Sequence, residues 1–197
     1  MNFHTLQQLP PTNHQKKLGF LAINPYICMD CNCLMCKMRK GMGTIKKSVA
    51  LVAHDNMKRD LVEWVDWNWE LLLSHHLVCT GTTGKMVATT LMERHHQSSD
   101  SFDITLLKSG PLGGDQQLGS MIAEGKISAL IFFWDPMQAQ PHDVDVKALL
   151  RLATLYNVPT AINRSSADML ISSPLFADEE YKPTAKDYKA YIERVLH

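Results

Sequence analysis

Four short stretches of this chain gather residues that can grip an anion and move a proton. Thr80-Gly81-Thr82-Thr83-Gly84 packs three hydroxyls and two glycines into five positions. If a helix starts there, its unbonded amides and positive dipole end converge on the anion that the hydroxyls hold, so the segment reads as a phosphate cradle. Taken alone it fits a Thr-rich cap and turn equally well. A second loop, Ser109-Gly110-Pro111-Leu112-Gly113-Gly114-Asp115, supplies small residues that let backbone approach a ligand closely. Two such loops outweigh one. Lys58 adds a cation near the start of a preceding helix, where an isolated lysine is ordinarily just solvated.

The proton-handling groups are Asp115 at the end of the second loop, His142 with Asp143 and Asp145 further on, and His54 with Asp55 before Lys58. Each has a plain structural reading. Asp115 at a helix start can serve as an N-cap, and a lone histidine after a strand is commonly structural. Together they suit a specific reaction: removing a proton beside a carbonyl takes a positioned base and a donor for the developing enolate oxygen, roles that carboxylate and neutral imidazole fill. Metal ligation is the competing use. Scatter over several loops does not exclude that use, but no compact ligand motif is present, and no metal is expected.

These stretches follow short apolar runs, Ser48 to Ala53, Leu77 to Thr80, Ile104 to Leu107, Ala129 to Trp134 and Thr160 to Ile162. The runs are continuous rather than alternating, as in strands covered on both faces. Helical patterns follow at about 56 to 73, 84 to 94, 116 to 125 and 144 to 156, with shorter ones near 166 to 172 and 185 to 196. Strand followed by helix, repeated, predicts a three-layer α/β/α doubly wound domain with a mainly parallel sheet of about five strands and a Rossmann-like ligand site beyond the strands' carboxyl ends. The polar stretch from Arg94 to Phe102 reads as a surface loop.

The expected domain is residues 47–197, and residues 1–46 read as an irregular extension, with Pro10, Pro11 and Pro25 and no apolar periodicity. At 197 residues and 45% hydrophobic, the chain can bury one good core but not two comfortable ones. Lys and Arg number 20, as do Asp and Glu, so nothing electrostatic points to nucleic acid or an anionic membrane. No apolar run has the length of a membrane span, and Leu18 to Ile23 is cut short by Asn24 and Pro25 before it resembles a signal peptide. Four of the five cysteines crowd between Cys28 and Cys36 and do not form the spaced framework of a secreted domain. A cytoplasmic protein with reduced thiols is the expectation. Two Cys-x-x-Cys pairs one residue apart leave little chain to close a tetrahedral metal site.

Several of these motifs occur together in one known family. Val52-Ala53-His54-Asp55, Thr80 to Gly84, Ser109 to Gln117, Phe132-Phe133-Trp134-Asp135-Pro136 and Pro141 to Arg151 resemble methylglyoxal synthase, in order and at compatible spacing from about Lys47 to Leu196. The resemblance implies a homohexameric enzyme without metal or organic cofactor that converts dihydroxyacetone phosphate to methylglyoxal and inorganic phosphate. It makes Asp115 the base and His142 the neutral imidazole on the substrate oxygens, with His54 and Asp145 in the supporting network. Lys58, Thr80, Gly81, Thr82, Thr83, Ser109 and Gly110 would hold the phosphate, and Arg194 would reach a neighbouring subunit's site. Inorganic phosphate is then product and possible regulator. A phosphate-binding regulatory module of the same fold, or a scaffold oligomer, would need the cradle or the assembly but not Asp115, His142 and Asp145 together. The extension of some 46 residues departs from the family, which begins shortly before its first strand.

Overall fold

The computed structural model describes residues 46–95, 102–138, 143–178 and 180–194, all within the unit from Thr44 to His197. The cysteine-bearing stretch, His142 and most of the polar loop near residue 100 lie outside the described residues. Each apolar run forms a strand: β1 (Ser48–Ala53), β2 (His76–Thr80), β3 (Ile104–Leu107), β4 (Ala129–Phe133) and β5 (Thr160–Ala161). Every neighbouring pair is parallel, and the order is β3-β2-β1-β4-β5. The chain therefore winds outward from β1 to β3, returns, and adds β4 on β1's other side. The β1–β4 border is the switch point where a doubly wound sheet opens a crevice at its carboxyl edge.

The helices are α1 (Lys58–Trp67), α2 (Trp69–Leu72), α3 (Gly81–His95), α4 (Gly114–Ala123), α5 (Asp143–Leu155), α6 (Arg164–Ser172), α7 (Pro174–Ala177) and α8 (Lys189–Ile192). Side chains alternate across a strand, so the continuous apolar runs feed two cores. Val49, Leu51, Leu77, Ile131 and Phe133 pack with Leu61 and Trp64 of α1, Val87 and Leu91 of α3 and Ile171 of α6. Ala50, Val52, Val78, Leu130 and Phe132 pack on the opposite face with Leu118 and Ile122 of α4 and Val146 and Leu149 of α5. Each fully buried large apolar side chain contributes about 1.5–3 kcal/mol. Trp64 is completely buried, and its indole N–H is satisfied by Asp168 Oδ1 at 2.8 Å, which ties α1 to α6. The result is the three-layer architecture expected from the strand and helix alternation.

Some boundaries differ from the sequence reading. The single helix expected over 56–73 is a short 3-10 turn, Asp55–Met57, followed by α1 and α2. Asn68 makes the break: its φ/ψ of −106°/17° leave the helix, and its side-chain amide donates to the Trp64 carbonyl at 2.9 Å. That bond offers the backbone an alternative to the helical ladder. α3 starts at Gly81 rather than 84, so Thr82 and Thr83 lie in its first turn and Thr80 ends the preceding strand. Of the helix expected over 185–196, the described residues, which end at 194, form only α8. The short α7 is additional to the helices that the sequence pattern predicts; Ser173 caps it by accepting from the Leu175 amide at 3.2 Å, and Pro174 occupies a first-turn position that needs no N–H. Among the described residues, no helix is long and apolar enough to cross a membrane.

Candidate active site

The carboxyl edge of the sheet opens on a cavity of about 480 Å³. Val52, Ala53, Phe132 and Val146 form its apolar floor, and its polar wall comes from the three segments that follow β1, β2 and β3. The two glycine loops are packed against each other here. Gly81 N–H donates to the Lys108 carbonyl at 3.1 Å across the two loops, and within the second loop Gly114 N–H donates to the Ser109 carbonyl at 2.9 Å. Gly81 has a φ of +36°, and a Cβ there would stand 2.6 Å from Ser109 Cα. A Cβ on Gly114 would stand 2.0 Å from the Lys108 oxygen. Glycine is required because backbone meets backbone at these two points.

His54, Lys58, Thr80, Gly81, Thr82, Thr83, Ser109, Gly110 and Asp115 all line this one cavity, along with Asp55. Lys58 extends from the first turn of α1, its Nζ 2.5 Å from Thr82 Oγ1 and 2.5 Å from Asp55 Oδ1. Thr80 and Thr83 are buried beside them. A cation, three hydroxyls and the positive end of α3, a 15-residue helix, thus share one corner of the cavity.

Asp115 is also buried, at 5% exposure, in the first turn of α4. The N-cap of that helix is Gly113, so Asp115 is not spent as the cap residue. Asp145 lies in the first turn of α5 and faces a neighbouring groove of about 290 Å³, whose lining it shares with Asp115. It does not line the main cavity. Arg194 is likewise absent from the linings of both hollows; its guanidinium stacks on Tyr191 at 3.9 Å.

Residues beyond the sequence-derived set complete the β1–β4 crevice. Asp135, just after β4, is buried, and its backbone N–H donates to His54 Nδ1 at 3.2 Å. Its Oδ1 accepts from the Met137 amide at 2.8 Å and its Oδ2 from Asn56 Nδ2 at 2.9 Å. Asn56 Nδ2 also donates to Gln138 Oε1 at 2.7 Å. The Met137 amide first, and then the Asn56 side chain, hold the Asp135 carboxyl below the usual carboxylate range. Asp135 follows a strand as the other candidates do, but only the adjacency of β1 and β4 reveals its partners. Among the described residues, no group of three or more His, Cys, Asp or Glu is arranged to hold a metal ion.

Known proteins are similar to this chain over the domain just described. Residues 60–162 match the family model described as MGS-like domain. The chain is 58% identical over 154 residues to the methylglyoxal synthase of Maridesulfovibrio salexigens, covering 76% of this chain and 98% of that protein. It is 54% identical over 151 residues to the methylglyoxal synthase of Proteus mirabilis, covering 77% of this chain and 93% of that protein. The crystal structure of methylglyoxal synthase from Elizabethkingia anophelis aligns with a TM-score of 0.67 at 47% identity, covering 77% of this chain and 93% of that one. With nearly the full length of these relatives matched at such identities, the chain belongs to the methylglyoxal synthase family.

Proposed function

We propose that this chain is a carbon–oxygen lyase acting on a phosphate ester, and that it converts dihydroxyacetone phosphate to methylglyoxal and inorganic phosphate. One observation carries the reading: the buried carboxylate of Asp115 lines the same cavity as the Lys58 ammonium and the Thr80, Thr82 and Thr83 hydroxyls. The phosphoryl group is assigned to Lys58, those hydroxyls, Gly81, Ser109 and Gly110 at the start of α3. With that end anchored, the hydroxymethyl carbon comes to Asp115, which removes a proton and leaves an enediolate. The electron pair on the former hydroxymethyl oxygen then closes a carbonyl, the double bond shifts toward the ester carbon, and the C–O bond to phosphate breaks. The released enol ketonises to methylglyoxal. Holding the ester bond in line with the enediolate favours elimination over isomerisation.

His54 donates to the substrate oxygens, and family resemblance assigns His142 to the same task. Asp145 supports Asp115 from the adjoining groove. No metal or organic cofactor takes part. Arg194 is assigned to the phosphate site of a neighbouring copy in a homo-oligomer, a hexamer by family resemblance. Its absence from the lining of its own cavity supports this, as do the exposed apolar side chains of Leu112, Met137 and Val144 beside the cavity-lining segments. The catalytic domain is residues 47–197, residing in the cytoplasm, with inorganic phosphate as product and regulator.

The test is to follow methylglyoxal and phosphate released from dihydroxyacetone phosphate by the full chain and by a version starting at Met42, with Asp115→Asn alongside. Product from the first two and about a 100-fold loss in the variant is the expected result. Binding of substrate by calorimetry without product would identify a phosphate-binding regulatory module instead.

A further inference from the structure

We infer that Asn56 is a positioning residue for His54, acting through Asp135 across the β1–β4 crevice. A backbone amide can only donate, so the Asp135 N–H directed at His54 Nδ1 requires a lone pair on that nitrogen. The neutral ring then carries its proton on Nε2, the tautomer in which His54 is a donor at that end. What holds the amide in place is the turn around Asp135. The Met137 amide closes the turn on Oδ1, and Asn56 pins Oδ2 from the opposite side of the crevice.

The orientation of the Asn56 amide is itself determined. An ionised carboxylate accepts but never donates, so the nitrogen must face Asp135, and the same nitrogen reaches Gln138 Oε1. One side chain from the segment after β1 therefore clamps two residues of the segment after β4. The backbone ties the segments at one further point, His54 N–H to the Phe133 carbonyl at 3.1 Å, and His54 packs edge-on to Phe132 with ring centroids 5.1 Å apart. Those contacts fix the ring's plane, whereas the Asp135 amide selects the protonated nitrogen. Asn56 is exposed, so truncating it removes the clamp without opening the core.

The role of His54 toward substrate rests on the function proposed above, but the tautomer does not, and the experiment separates the two. Full-length protein is labelled with ¹⁵N-histidine, the His54 signals are assigned by their loss in His54→Gln, and tautomer populations are read at neutral pH in wild type, Asn56→Ala and Asn56→Asp. The wild type should show protonated Nε2 and unprotonated Nδ1, and Asn56→Ala should show a mixture of the two tautomers. In Asn56→Asp a second carboxylate faces Asp135, and the mixture should be further from wild type. Turnover of dihydroxyacetone phosphate should fall about fivefold in Asn56→Ala with KM nearly unchanged, the worth of one ordinary hydrogen bond. A wild-type ring protonated on Nδ1, or an Asn56→Ala protein with wild-type tautomer and turnover, overturns the inference. A tautomer shift in a chain that turns over no substrate supports the clamp and counts only against the proposed reaction.

Discussion

Lys58 Nζ lies 2.5 Å from Thr82 Oγ1, joining the first turn of α1 to the first turn of α3. Its other contact, Asp55 Oδ1 at 2.5 Å, comes from an exposed carboxylate. In the reaction proposed above, the substrate phosphate would offer the ammonium more charge than Asp55 does and would take the same place beside the Thr82 hydroxyl.

Replacing Lys58 by Gln should therefore weaken substrate binding about 10- to 100-fold, the range for losing one charge-assisted hydrogen bond at a partly buried site. The change should appear in KM more than in kcat, because the phosphate is bound in ground state and transition state alike until it leaves. Lys58→Arg should not restore binding: a planar guanidinium cannot occupy the compact site between Asp55 and Thr82. Steady-state kinetics on the two variants decide this, and an unchanged KM in Lys58→Gln would remove Lys58 from the phosphate site.

Gly114 provides a test of the loop packing. Its missing Cβ would lie 2.0 Å from the Lys108 oxygen and 2.8 Å from the Lys108 carbonyl carbon, both backbone atoms that no rotamer change can move. Gly114→Ala should cost about 3 kcal/mol of stability, the upper end for overpacking. It should also displace the next residue, Asp115, so turnover falls even where the protein remains folded. Gly119→Ala is the control. Its new methyl meets only the tip of Leu152 at 3.0 Å, and the cost is offset by about 1 kcal/mol of better helix propensity. Equal thermal shifts for the two variants would contradict the assigned packing.

The contrast between these glycines and Asn56 marks what the sequence discloses. Strand runs and glycine loops are local patterns, and in a parallel sheet the residues after each strand share an edge, so Thr80 to Thr83, Ser109, Gly110 and Asp115 could be placed together without coordinates. Strand order is not local. That β4 rather than β3 lies beside β1 is decided by the crossover and core packing, and it alone brings Asn56 and His54 to Asp135. The break at Asn68 was hidden for a related reason. A side chain that bonds its own helix is, by residue type, indistinguishable from a solvated one. Asp145 shows the limit of reading a rim as a single site, for it faces the groove behind Asp115.

At the opposite edge of the sheet, His75 precedes β2 and is buried at 9% exposure, edge-on to Phe176 with centroids 5.4 Å apart. Its Nδ1 has no hydrogen-bond partner among the described residues. Burial first, and the nearby Lys47 ammonium second, push its pKa from the ordinary 6.5 down to about 4. Lys47 is anchored there by the Phe176 and Asp178 carbonyls, at 2.5 and 3.1 Å, so it cannot swing away from an imidazolium. The unfolded chain takes up a proton at this position near pH 6.5, whereas the folded chain resists until near pH 4. Stability therefore falls as pH drops through that window, by about 2 kcal/mol between pH 7 and 5. Urea unfolding of wild type and His75→Gln at pH 7, 6 and 5 measures it. The variant, unable to protonate, should lose about 2 kcal/mol less over the same range, even if its stability at pH 7 is lower. Parallel losses in the two proteins would show that His75 is not the group responsible.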